Sequence, residues 1–154
     1  MSFANIAAMH DGGRARPDER AVAQDQHRCP EPIAQRKTIL VVEDTDDLRE
    51  VYRHVLSEAG YRVLGATNGK EALRILESSG EEPCLMLLDM MMPVMDGSAF
   101  LSVLRATHRL ATLPIIIISA NDGYRGRYGV TRLLKKPVSL PALIELVTEF
   151  CGQS

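Results

Sequence analysis

The 154-residue chain has no tryptophan and few other aromatics, three phenylalanines and four tyrosines. It lacks any apolar stretch near the ~20 residues a membrane-spanning helix needs. Residues 1–9 carry no basic n-region, and their short apolar part soon meets Asp11, so they do not read as a signal peptide. The formal charge of −2 is close to balance. It gives no electrostatic reason to expect nucleic acid or a membrane surface as a partner. Cysteine is scarce: Cys29, Cys84 and Cys151 are odd in number, widely spaced and match no zinc or redox motif. Three free thiols in a reducing cytoplasm are the expectation.

What is present divides the chain in two. Residues 1–37 mix Gly, Pro, Arg, Asp and Gln without periodicity, and their charges nearly cancel. The segment reads as a disordered tail. Residues 38–152 alternate in character and are long enough for one domain with a real core. Short apolar runs over 38–42, 61–66, 84–88 and 113–118, with a weaker one over 130–134, predict strands. Between them, apolar residues recur at spacings of three and four. Thr45 or Asp46 starts a helix with Leu48, Val51, Tyr52, Val55, Leu56 and Ala59 on one face, stopped by Gly60. Asn68 caps a second helix with Ala72, Leu73, Ile75 and Leu76, stopped near Gly80. A third runs from Ser98 to about Thr107, with Phe100, Leu101 and Leu104 inward. Ser139 caps a last helix with Leu140, Leu143, Ile144, Val147 and Phe150, and Pro141 fits its first turn. Continuously apolar strands alternating with amphipathic helices predict an α/β fold, a doubly wound parallel sheet covered on both faces.

Polar residues stand where those strands end. Glu43 and Asp44 close the first, Asp89 the third and Ser119 the fourth, and Lys136-Pro137 follows the fifth. In open parallel sheets ligands bind beyond the carboxyl ends of the strands, so these residues converge on one predicted pocket. Three carboxylates meeting there repel by about 4 kcal/mol per pair at ~4 Å and an effective dielectric near 20. A hard divalent cation removes the conflict. Mg²⁺ is the expected ion, with Mn²⁺ a substitute. Asp44, Asp89 and the Met91 backbone carbonyl are the expected direct ligands, and Glu43 a ligand through water. With the metal in place, an Asp89 oxygen can attack phosphorus in line. Lys136 and Ser119 would take the remaining phosphoryl oxygens. The methionines Met90, Met91, Met92 and Met95 read as flexible packing rather than a soft-metal site.

The segments Ile39-Leu40-Val41-Val42-Glu43-Asp44, Asp89-Met90-Met91-Met92-Pro93-Val94-Met95-Asp96-Gly97, Ile118-Ser119-Ala120 and Lys136-Pro137 together resemble the receiver domain of bacterial two-component response regulators. The resemblance implies a flavodoxin-like five-stranded sheet of order 2-1-3-4-5, and makes Asp89 the phosphoacceptor. It implies Glu43 and Asp44 at the metal, Ser119 and Lys136 at the phosphoryl group, and a cis Lys136–Pro137 peptide that aims the lysine. It also implies a histidine kinase or histidine phosphotransfer protein as donor and a downstream protein partner. Beyond self-phosphotransfer and slow autodephosphorylation it implies no enzymatic activity.

Two departures from the family pattern stand out. The position three before the lysine, usually aromatic, is Leu133. The segment from Ser119 to Lys136 is short, and Gly123, Gly126 and Gly129 oppose a stable helix. The fourth helix is therefore expected to be short or missing, with a loop over 121–129 that is either a shortened surface connection with solvated side chains or the output element, ordering when Asp89 is phosphorylated. In the second reading Arg125 or Arg127 would approach the phosphate, and Tyr124 or Tyr128 would replace the absent aromatic.

The leading expectation is a stand-alone phosphoacceptor switch, since the chain ends just past the last helix. A receiver-like module that binds proteins without phosphorylation is the alternative. A third class is an Asp-nucleophile phosphatase using Asp44 and Asp46.

Overall fold

A computed structural model describes residues 36–107, 112–124 and 132–152. Residues 1–35 of the tail expected over 1–37, and Arg125, Arg127 and Tyr128, lie outside the described residues. The order is β1 (Thr38–Val42), α1 (Asp46–Glu58), β2 (Arg62–Ala66), α2 (Gly69–Ser78), β3 (Leu85–Asp89), α3 (Gly97–Ala106), β4 (Ile115–Ser119), a 3-10 turn (Asp122–Tyr124), β5 (Arg132–Lys135) and α4 (Leu140–Cys151). All strand pairings are parallel, and the sheet order is β2-β1-β3-β4-β5.

β1, β3 and β4 are buried along their whole length. Because side chains alternate across a strand, each of the three feeds two cores. Leu40, Val42, Met86, Leu88, Ile115 and Ile117 join the core that holds Ala72, Leu76, Phe100, Leu101 and Leu104 from α2 and α3. Ile39, Val41, Leu85, Leu87, Ile116 and Ile118 join the core that holds Tyr52, Leu56, Leu143 and Val147 from α1 and α4. This explains the unbroken apolar runs: along these three central strands neither face of the sheet meets water.

Local chemistry sets the helix ends. Asn68 Oδ1 accepts the Glu71 N–H at 3.0 Å, and Glu71 Oε2 accepts the Thr67 N–H at 2.7 Å. Asp96 Oδ1 accepts the Ala99 N–H at 2.8 Å to start α3. Gly60, with φ of 95°, follows α1 in a conformation that side-chain-bearing residues resist.

Among the described residues the fourth unit is reduced, as expected. Asp122–Tyr124 form one 3-10 turn, with the Gly123 N–H on Asn121 Oδ1 (2.8 Å) and Lys135 on Asp122 (3.1 Å). Among the described residues there are four α-helices.

Three expectations need correction. Leu48 and Val51 do not point inward; they are 36% and 42% exposed. α1 presents only Tyr52 and Leu56 fully to the sheet, so its apolar stripe is wider than its buried face. The fifth strand runs on to Lys135, one residue past its expected end at Leu134, and residues 130 and 131 lie outside the described residues. The free-thiol expectation fails for two cysteines, since Cys84 and Cys151 form a disulfide across 67 residues. Cys84 immediately precedes β3 and Cys151 ends α4. Only the packing of α4 onto the sheet brings them together, so spacing could not reveal the pair. Cys29 lies outside the described residues.

Candidate acidic site at the carboxyl ends of the strands

The site is built from strand ends. Glu43 and Asp44 follow β1, Asp89 ends β3, Ser119 ends β4 and Lys136 follows β5. Glu43, Asp89 and Ser119 are buried, and Asp44 is partly exposed. Carboxylate oxygens of Glu43, Asp44 and Asp89 lie within 4.8 Å of one another. The Lys136 ammonium reaches Glu43 Oε2 at 3.1 Å and Asp89 Oδ2 at 3.2 Å. The Lys136–Pro137 peptide is cis, as the resemblance implied.

The electrostatics reflect this crowding. Burial, helped by the charge of Asp89, pushes the Glu43 carboxyl above the ordinary carboxylate range; the Thr45 N–H and Lys136 oppose the shift without cancelling it. Burial alone would lower Lys136, but the Glu43 hydrogen bond and the Asp89 and Glu43 charges outweigh it and hold the ammonium above its usual value. One ammonium thus faces three carboxylates. Among the described residues no hydrogen bond or ion pair reaches the Asp44 carboxylate. A largely buried cluster of carboxylate oxygens with excess negative charge suits a hard divalent cation. Glu43, Asp44 and Asp89 fit such an ion.

The remaining expected residues occupy the rim. The Met91 side chain is exposed, and its N–H donates to Asp89 Oδ1 at 3.1 Å, turning the loop back over the acid. Ser119 Oγ accepts the Asn121 N–H at 3.0 Å. Leu133 and Tyr124 are half-buried against the α2–α3 side of the core. Asp46 is not in the cluster. It sits exposed in the first turn of α1, paired with Arg49.

Arg49 was not anticipated. Its Nη1 donates to the Glu43 carbonyl at 2.8 Å, so it braces the loop that carries two of the acids. Its stem lies over Gly65, where an added Cβ would meet Arg49 Cδ at 3.3 Å. A glycine inside the β2 run was the available signal, because such a glycine often marks a close approach.

A five-stranded parallel sheet of this order, with an acidic cluster and a lysine at its carboxyl edge, defines a receiver of the response-regulator type. The chain belongs to the response regulator receiver domain family, which residues 39–148 match. It is therefore a component of two-component phosphorelay signal transduction rather than a conventional enzyme. It is 28% identical to the polar-differentiation response regulator DivK of Brucella anthropi, over 77% of this chain and 98% of that protein. It is 34% identical to part of the sensor histidine kinase CheAY of Helicobacter pylori, over 66% of this chain but only 13% of the kinase. Among solved structures it is similar to the response regulator TrrA of Thermotoga maritima in complex with Mg²⁺-BeF. The TM-score is 0.64 and the identity 29%, over 74% of this chain and 98% of that one. Among the described residues no helix is long and apolar enough to cross a membrane.

Proposed function

We propose that Asp89 accepts a phosphoryl group from a phosphohistidine and that this changes which protein the chain binds. The supporting observation is the contact between Lys136 Nζ and Asp89 Oδ2 beside two further carboxylates. A lysine there opposes the charge of the acid and stays beside it as a phosphoryl group arrives. Asp44, Asp89 and the Met91 carbonyl would hold Mg²⁺, or Mn²⁺ in its place, with Glu43 acting through water. Bound there, the ion supplies neutralisation of phosphoryl charge. The Asp89 carboxylate forms the new O–P bond as the donor's N–P bond breaks, and the donor imidazole leaves with the electron pair. Ser119 Oγ, lightly held by one backbone N–H, is placed to turn toward a phosphoryl oxygen. The apolar Met91 offers no hydrogen bond to an attacking water, so autodephosphorylation is slow.

The donor is a histidine kinase or histidine phosphotransfer protein. An apolar groove of about 580 Å³ beside Lys136, lined by Leu48, Val51, Pro137, Val138 and Leu140, offers it a docking face. Residues 38–152 are the unit that does this work, in the cytoplasm, with 1–37 as its tail. Its output is a contact with a downstream protein.

Incubation with Mg²⁺ and acetyl phosphate, followed by intact-mass measurement, tests the assignment. One added phosphoryl group, absent in Asp89→Asn, is the expected result. No adduct under conditions that label other receivers would favour phosphorylation-independent binding instead.

A further inference from the structure

The Cys84–Cys151 pair lies at the opposite edge of the sheet from the acidic cluster, and the phosphoryl chemistry makes no use of it. Cys84 precedes the first residue of β3, and Cys151 is the last residue of α4. The same helix end is held by two other contacts. The Tyr61 hydroxyl donates to the Gly152 carbonyl at 2.6 Å, and the Lys37 ammonium donates to the Cys151 carbonyl. Further back, Leu143 and Val147 are fully buried against the sheet. The domain has two apolar cores of ordinary size, unlike the small secreted domains that fold only when cross-linked. These contacts hold α4 on the sheet alongside the disulfide, so reduction is expected to loosen the final turn alone.

The two cysteines differ in exposure. Cys151 is buried, whereas Cys84 is half-buried and lines a cleft of about 370 Å³. Arg36, Lys37 and Arg62 line that cleft with Glu81 and Glu82. Arg62 is paired with Glu81, and Thr38 donates to the same carboxylate at 3.1 Å. Cations beside a thiol favour the thiolate, which is the reactive form in thiol–disulfide exchange. An accessible cysteine near cations with a second cysteine in bonding reach is the arrangement that redox-responsive pairs use.

We propose that Cys84 and Cys151 form a reversible thiol–disulfide switch, in which Cys84 is the sulfur that reacts with solutes and Cys151 the one that resolves. In the reducing direction a thiolate of a small dithiol, or of glutathione, attacks Cys84 Sγ. The S–S bond breaks, and Cys151 leaves as a thiolate and takes up a proton. A second reductant thiolate then attacks its partner sulfur in the mixed disulfide and releases Cys84. The protein gains two electrons and two protons, and the reductant becomes a disulfide. In the oxidising direction the Cys84 thiolate attacks a peroxide oxygen and the O–O bond breaks, giving a sulfenic acid and hydroxide, which takes a proton to form water. The Cys151 thiolate attacks that sulfur and expels hydroxide, which takes a proton to form a second water.

Alkylation and peptide mapping of the full chain in glutathione buffers of rising reducing strength test the switch. Cys84 and Cys151 are expected to become alkylated together, through one two-electron transition, while the far-UV circular dichroism stays constant. Amides at the end of α4 should then exchange faster by on the order of tenfold, with β1 and β3 unchanged, and peroxide should restore protection. Reduction only on global unfolding would overturn the proposal and leave a structural cross-link, as would two cysteines that stay alkylatable after peroxide. The single variants test the order of events. In Cys151→Ser, peroxide should leave a sulfenic acid on Cys84 that a dimedone probe traps. In Cys84→Ser, Cys151 should stay unlabelled. Labelling of Cys151 instead, or failure of either variant to fold, would also overturn the proposal.

Discussion

At the scale of the single residue, the loop after Asp89 carries a conflict. Val94 adopts φ of 70° and is 81% exposed. A β-branched side chain in the left-handed region is strained, and nothing buried holds it there. The Met95 N–H bonds to the Pro93 carbonyl and the Met95 carbonyl accepts the Gly69 N–H, so backbone contacts on either side pin the turn. Asparagine tolerates this conformation. Val94→Asn should raise unfolding stability by about 1 kcal/mol, read as a higher urea midpoint at unchanged slope. A lower midpoint would mean that Val94 makes an apolar contact worth more than the strain. The acidic residues show the opposite kind of legibility. A charged residue at the end of an apolar run is conspicuous in the chain, whereas Arg49, an ordinary helix residue, has a role only once the β1–α1 loop is folded.

At the scale of the element, two helix starts support the site. An added Cβ at Gly97 would lie 2.6 Å from Met90 Sδ and 2.9 Å from the Asp89 carbonyl oxygen. Helix α3 therefore begins hard against the strand end that carries the acid, and only glycine permits that approach. Gly97→Ala should cost about 1–3 kcal/mol and slow labelling of Asp89 by acetyl phosphate, because backbone as well as the Met90 side chain must move. Retention of both stability and labelling rate would show that the loop accommodates the methyl group. At α2, the Thr67 hydroxyl and N–H both donate to Glu71 and hold its carboxyl below the ordinary range. A depressed folded value means stability that is present above the unfolded pKa and lost as pH falls through the folded one. Wild type should exceed Glu71→Ala by about 1 kcal/mol near neutral pH, with the gap closing below the ordinary carboxylate value of about 4.3. Chemical denaturation at a series of pH values checks both the size and the direction. The Asn68 cap was readable, because asparagine stands just before an apolar-periodic run, whereas α3 begins at Gly97 under an Asp96 cap, one residue ahead of the expected Ser98. The end of β5 at Lys135 was less so, because an edge strand with exposed ends has a weak apolar signal.

At the scale of the whole molecule, the apolar stripe of α1 is broader than the core requires. Leu48 and Val51 remain in water next to Pro137 and Val138, alongside the only lysine that reaches Asp89 among the described residues. A small phosphodonor needs no such surface, whereas a protein donor does. Val51→Asp should therefore leave thermal stability and acetyl phosphate labelling nearly unchanged. It should slow transfer from a phosphohistidine protein about tenfold, the effect of losing a central interface contact worth about 1.4 kcal/mol. Equal slowing with both donors would place the effect in the pocket instead of the docking face.

The sequence by itself determined the class of fold and the identity of the acidic site. Burial on both faces forces unbroken apolar strands, and charges are tolerable only where such strands end, so Glu43, Asp44, Asp89, Ser119 and Lys136 stand out in one dimension. Periodicity told which residues are apolar enough to be buried, but not which of them are. The tertiary structure alone decided that Leu48 and Val51 stay exposed, that Arg49 braces the acidic loop, and that Cys84 meets Cys151. Each of these depends on where a helix comes to rest on the sheet, and that follows from the packing of all the elements together.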